Sequence, residues 1–255
     1  MDEIVSDSTP HPSAQKNESI TTRNRQFYDR LWSGAKLIRP ESFLTWKAFS
    51  GMALEAGRRL EIGPGLRPRL PLEETDFFDL SREAVGQIRR AGGRARTGSA
   101  SDPLPYEDAT FGLICALDIV EHVEDDHAVL SEIARVAAPG ARLIISAPLH
   151  ADRWIPFDDL VGHCRRYDPD VFFAMLESNG FAIEESAGYG MQPKSSRLLD
   201  FGMRFLARRP REGMWWYNNV FMPIGLMFQS ELKFAPGTEH TRNLDEVLLI
   251  CRKTA

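Results

Sequence analysis

The run Leu60-Glu61-Ile62-Gly63-Pro64-Gly65 ends an apolar segment in an acid and a glycine turn. Glycine lacks the Cβ that would hold a ligand away from the backbone, so such a turn at a strand end can receive one. Its N–H groups can cradle a charged amino-acid moiety. Asp79, ending the next apolar run, is placed to accept hydrogen bonds from a ribose diol, the reading preferred over merely capping a helix at Ser81. Asp118, His122, His150 and His163 are the side chains available to take a proton from an acceptor, and His150 with His163 is the preferred catalytic pair. His163 lies in Gly162-His163-Cys164-Arg165-Arg166-Tyr167, where guanidinium groups could grip an anionic substrate. The same residues could instead pin a loop to Asp158, the reading favoured for Arg166 and Tyr167. No cluster with metal-ligand spacing is evident, so metal-assisted chemistry is not the first expectation.

The elements that must position these residues alternate between strand and helix. Strands are expected at Arg59–Ile62, Asp76–Leu80, Arg94–Thr97, Phe111–Leu117, Ala141–Ala147, Phe181–Glu185 and Glu246–Arg252. Ser81 caps a helix reaching Arg90, Asp126–Ala137 is a helix stopped by Pro139-Gly140, and Asp168-Pro169 opens another that ends near Gly180. Two helices, Thr22–Leu31 and Glu41–Glu55, precede the first strand. The alternation implies an α/β fold, a doubly wound, seven-stranded, mostly parallel sheet. Five segments follow: a disordered leader over 1–20, a helical lid over 21–57, a core over 58–190, a helical cap inserted at 191–243, and the last core strand over 244–255. The cap carries Leu198, Leu199, Phe205 and Leu206 among arginines, then Trp215-Trp216-Tyr217. Insertions of this length are usually functional.

The ordered set Glu-Ile-Gly-Pro-Gly, Phe78-Asp79-Leu80-Ser81, Leu104-Pro105-Tyr106 with Thr110-Phe111-Gly112, Asp118-x-x-Glu121-His122 and Arg135-Val136-x-x-Pro139-Gly140 resembles the class I S-adenosylmethionine-dependent methyltransferases. The similarity is greatest to the type 11 small-molecule set, and it implies a Rossmann-like fold with a reversed final hairpin. It also implies that Glu61, Gly63, Pro64 and Gly65 line the methionine end of the cofactor and Asp79 the ribose. Leu80, Ser99, Ala100 and Leu104 would flank the adenine, with Leu117 and Asp118 near the departing methyl; His122 is counted with the cofactor-binding residues, although it could only hydrogen-bond to backbone or cap its loop. Tyr28 resembles the aromatic residue by which a leading helix closes over the cofactor, a sensible neighbour for a sulfonium cation, whereas Trp32 reads as packing. Two positions depart from the pattern. Arg67 stands where the family has a third glycine, and Pro68 and Pro71 leave little room for the helix that normally follows. Ser99 replaces a common acid, leaving the adenine amino contact open between Ser99 and Asp102.

The implied reaction is methyl transfer to a small organic acceptor that could be hydrophobic or lipid-linked. A non-catalytic cofactor-binding scaffold or partner-binding module is the alternative, and a nicotinamide-dependent oxidoreductase a poorer one, since its fingerprint wants a glycine-opened helix. With 43% hydrophobic residues the chain can bury a core, and a net charge of −5 offers nucleic acid no overall attraction. Cys115, Cys164 and Cys251 are widely separated, as in a reducing, cytoplasmic protein. No apolar run reaches the roughly 20 residues of a spanning helix, but Arg208, Arg209 and Arg211 beside the aromatic block allow the cap to touch a membrane.

Overall fold

The computed structural model describes residues 19–190, 210–221, 224 and 232–254. Residues 1–18 of the proposed leader and the cap's amphipathic stretch lie outside them, whereas Ser19 and Ile20, expected in the leader, cap and open the first helix. Helices α1 (Ile20–Trp32) and α2 (Thr45–Glu55) lead into β1 (Arg59–Ile62), β2 (Thr75–Asp79), α3 (Arg82–Arg90), β3 (Arg94–Thr97) and β4 (Phe111–Ala116). Then come α4 (Asp126–Val136), β5 (Ala137–Pro148), α5 (Pro156–Val161), α6 (Pro169–Ser178), β6 (Phe181–Gly188), α7 (Pro210–Trp216), β7 (Ala235–Pro236) and β8 (Glu246–Lys253).

One sheet runs in the order β3-β2-β1-β4-β5-β8-β6-β7. The first five strands are mutually parallel, and β8 lies antiparallel between β5 and β6. The expected seven strands are therefore present, with β7 added as a two-residue edge paired to β6. Both faces of the sheet are covered, which is why β4 is apolar throughout. Leu113 and Cys115 pack under Phe49 and Ala53 of α2, while Ile114 and Ala116 face Val129, Leu130 and Ile133 of α4. Val85 and Ile88 of α3 cover Phe77 and Ala95.

Local chemistry sets the helix starts. The Ser81 side chain accepts from the Ala84 amide, Asp125 from Ala128, and Asp168 from Asp170 and Val171, with Pro169 at the first helical position. Several boundaries differ from expectation, one of them informatively. Pro139-Gly140 does not separate α4 from β5 but lies within the start of the strand, where pairing with β4 shifts register and Gly140 takes φ 73°. The bulge absorbs the turn signal. Likewise the helix expected from Glu41 begins only at Thr45, after a short turn at Pro40–Ser42.

Among the described residues no helix is long and apolar enough to cross a membrane. All three cysteines are buried and unpaired with one another. Gly112, near the start of β4, marks a tight contact, since a Cβ there would sit 2.2 Å from the Ala56 carbonyl oxygen. Gly112→Ala must move backbone rather than a side-chain end, so thermal or urea unfolding should show a loss of about 1–3 kcal/mol. Unchanged stability would mean that α2 is held less tightly than this contact requires.

Candidate active site

The carboxyl ends of β1, β2 and β4 meet beneath α1, where a parallel sheet presents ligands. Gly63 and Gly65 both take left-handed backbone, φ 67° and 55°. A Cβ on Gly63 would lie 2.0 Å from Ile119, and one on Gly65 would lie 2.2 Å from the Trp32 ring. Glycine is thus needed for conformation and for closeness. The N–H groups behave differently from expectation. The Gly63 amide donates to the Phe78 carbonyl at 2.8 Å and the Gly65 amide to Asp79 Oδ2 at 2.8 Å. Pro64 has no N–H. The loop therefore does not present these donors outward, and what it gives a ligand is a bare backbone surface. No helix lies between β1 and β2, as Pro68 and Pro71 required.

Asp79 is buried, and its other oxygen accepts from the Ser81 amide at 2.7 Å. Burial pushes its carboxyl up to about 6 against the opposing pull of the two amides. Both the ligand and the capping readings of Asp79 are compatible with this geometry, because a carboxylate oxygen accepts more than one bond. Glu61 is turned the same way, receiving the Arg69 and Leu70 amides at 2.8 and 2.9 Å. Burial raises it to about 7 despite those bonds. Leu80 follows Asp79 at the end of β2, where it is partly buried. Ser99 is buried and accepts from the Ser101 amide at 3.2 Å, with Ala100 and Leu104 packed into the main core. Asp102 is exposed.

Beyond β4, Leu117 packs with the α2 cluster and Asp118 adopts φ 54°. Its carboxylate accepts from the Ser146 hydroxyl of β5 at 2.5 Å. It also meets Glu246, which burial and the neighbouring Asp118 hold protonated well above the carboxylate range. The turn Val120–His122 then directs Glu121 and His122 toward α1 and the α5–α6 loop. His122 Nε2 lies 3.3 Å from the Tyr28 hydroxyl and its Nδ1 lies 3.3 Å from the Gly162 carbonyl. Burial, reinforced by His163, keeps this imidazole neutral, its pKa well below the ordinary value. The His122 and His163 rings stand edge to face, 4.6 Å apart.

Asp158, to which the sequence reading tied this loop, is the hub behind these histidines. It receives His163 Nδ1 at 2.8 Å, the Ile155 amide at 2.7 Å and both Arg166 Nε and Nη2 within 3.1 Å. Burial opposes its charge, but these donors prevail and hold its pKa below the ordinary value. Arg166 thus takes the structural part. So does Tyr167, whose hydroxyl donates to Asp126 at 2.9 Å, while Arg165 also pairs with Asp126. His163 keeps Nε2 directed 3.8 Å from Glu121 Oε1. His150 sits apart in this network. Its amide donates to the Tyr167 carbonyl at 2.7 Å, its φ is 63°, and its Nε2 is buried without a hydrogen-bond partner.

A methyltransferase-domain family model matches residues 66–145. The chain is 45% identical over 47 residues to norajmaline N-methyltransferase of Rauvolfia serpentina, covering 18% of this chain and 16% of that protein. It is 28% identical over 142 residues to 27-O-demethylrifamycin SV methyltransferase of Amycolatopsis mediterranei, covering 46% and 52%. The matches therefore span at most about half of these relatives' own lengths. Among solved structures, the [4+2]-cyclase SpnF superposes with TM-score 0.58 at 16% identity, covering 92% of this chain and 96% of that one. Phosphoethanolamine N-methyltransferase 2 of Haemonchus contortus, determined with phosphomonomethylethanolamine and S-adenosylhomocysteine, gives 0.56 at 14%, covering 96% and 62%. Fold and family model agree: residues 66–145 match a methyltransferase domain, and the chain shares the Rossmann-like fold of these solved structures.

Glu61 supplies a pH test. A carboxyl whose folded pKa lies above its unfolded value stabilises fully below the unfolded pKa, and that contribution is lost as pH rises through the folded one. Between about pH 4.5 and about pH 7, stability should fall with Glu61 present and fall less in Glu61→Gln. Urea unfolding at both ends of that window measures the difference, and equal slopes would place the Glu61 pKa in the ordinary range.

Proposed function

We propose that the protein transfers the methyl group of S-adenosylmethionine to a small organic acceptor. The observation that carries this reading is the convergence of the β1 glycine turn, Asp79 and Asp118 under a helix bearing Tyr28 and Trp32. The residues fit the group. Ile119 and Trp32 side chains, rather than backbone, lie against the two glycines, so a ligand on this surface requires those side chains to move. Glu61, Gly63, Pro64 and Gly65 would face the amino-acid end and Asp79 the ribose. Leu80, Ser99, Ala100 and Leu104 would line the adenine, with Leu117, Asp118 and His122 toward the sulfonium end.

When bound, the cofactor supplies an activated methyl whose bond to sulfur breaks as the acceptor's bond forms, leaving the electron pair on sulfur. The chain contributes alignment and exclusion of water, which suffice for much of the rate in an in-line displacement. Tyr28 closes the site from α1, and the Asp118 carboxylate lies where it favours a cation. An acceptor that carries a proton yields it to His163, whose Nδ1 is held by Asp158 so that Nε2 is presented, or to His150. The exposed Trp215, Trp216 and Ile224 support an apolar or lipid-borne acceptor. Buried reduced cysteines support a cytoplasmic setting.

The second reading is a cofactor-binding scaffold that transfers no methyl group, kept because fold does not fix chemistry, as the superposition on a structure named for a cyclisation illustrates. Incubating the protein and a cell extract with methyl-labelled cofactor, followed by mass spectrometry of metabolites, separates the two. Labelled product is expected, while a scaffold would transfer none. His163→Ala should lower turnover at least tenfold with cofactor affinity intact, and unchanged turnover removes His163 from the mechanism. Pelleting with anionic liposomes tests a lipid-borne acceptor: salt-sensitive binding is expected, and its absence ends the membrane version.

A further inference from the structure

Glu121 and His122 are chain neighbours after β4, while His163 arrives from the α5–α6 loop. One ligand atom from each lies within 4.8 Å of the other two. Linear spacing hid this cluster. It appears only when the fold returns the Gly-His run to the end of β4.

Three features distinguish the cluster from a chance gathering of polar residues. Glu121 is 1% exposed, and its Oε2 is buried without any hydrogen-bond partner. Such an atom should cost free energy unless something occupies the space it faces. Each imidazole is also oriented through its Nδ1, His163 by the Asp158 carboxylate at 2.8 Å and His122 by the Gly162 carbonyl at 3.3 Å. Metal-ligating histidines characteristically bind outward through one nitrogen in this way and present the other. Finally, the hub is itself anchored. Asp158 is held by Arg166 and the Ile155 amide, and Asn24 of α1 donates to the Gly162 carbonyl at 3.3 Å.

We infer that Glu121, His122 and His163 form a binding site for a first-row divalent transition cation, placed between the end of β4 and the lid helix. Two nitrogens and one carboxylate suit zinc, manganese, cobalt or iron(II), whereas magnesium and calcium favour all-oxygen sets. Bonds to such an ion are about 2.0–2.2 Å long, so the side chains draw together slightly on binding. Three protein ligands leave coordination positions open, as catalytic rather than purely structural sites do. The Tyr28 hydroxyl, 3.3 Å from His122 Nε2, stands beside them.

The ion's task rests on the methyltransferase reading, although its binding does not. A bound ion would make an acceptor hydroxyl held at an open position more acidic, its proton leaving to solvent. The oxygen then forms the bond to the methyl carbon as the carbon–sulfur bond breaks and sulfur keeps the pair. The acceptor class is thus a hydroxylated compound. His163 serves as ligand in this case, and no separate base is required.

The test uses the full chain, stripped with chelator and titrated with zinc by calorimetry and with cobalt(II) by visible absorption. One ion per chain is expected, with d–d bands showing nitrogen ligation. Glu121→Gln and His163→Ala should each weaken binding at least tenfold, with circular dichroism confirming the fold. No saturable binding of zinc, cobalt or manganese by the wild-type chain would overturn the site. So would affinity unchanged in both variants. S-adenosylhomocysteine calorimetry on the stripped protein reports the cofactor reading separately. Ion binding without cofactor binding keeps the site and removes its methyl-transfer task.

Discussion

The buried carboxylate of Asp79 is the interaction on which the candidate site depends. By accepting from the Gly65 and Ser81 amides it ties the end of β1 to the end of β2. Ser81 in turn caps α3 and donates to Asp29 of α1 at 2.6 Å. One chain of hydrogen bonds therefore fixes the glycine turn, the first crossover helix and the lid relative to one another. Burying this acid costs solvation, visible in its raised pKa, and the amides offset that cost only while the turn keeps its shape.

A second hub, Asp158, does for the opposite side of the cleft what Asp79 does for the first. It unites α5, the Gly-His loop and Arg166, and through His163 reaches the residues following β4. The lid helix touches both sides, Asn24 and Tyr28 on the Asp158 side and Asp29 and Trp32 on the Asp79 side. Asn218, beyond α7, donates to the Leu31 carbonyl at 2.7 Å and accepts from Arg67 at 3.0 Å, so the inserted segment braces the lid from outside. Helix α1 is thus tied to both hubs by direct contacts.

Much of the fold was legible because local signals and burial agree. β1 and β3 begin and end where their apolar runs and turns place them, and the caps at Ser81 and Asp168 follow side-chain chemistry. Pro139-Gly140 misled, since a turn signal does not reveal whether pairing with a neighbouring strand will absorb it as a bulge. The glycine turn was recognisable, but the direction of its N–H groups was not, because the Phe78 carbonyl and Asp79 that engage them come from another strand. Likewise, Glu121 and His122 gave two of the cluster's three residues. The third, His163, is supplied by chain return rather than by spacing.

The account turns on whether this rim holds an adenosyl thioether or sulfonium. The most direct measurement is a crystal structure determined with S-adenosylhomocysteine. The account places the amino-acid end against Gly63 and Gly65, the ribose hydroxyls on Asp79 and the sulfur toward Asp118 and Tyr28. Well-ordered crystals showing the compound elsewhere, or a pyridine dinucleotide lying across the same strand ends, would contradict it.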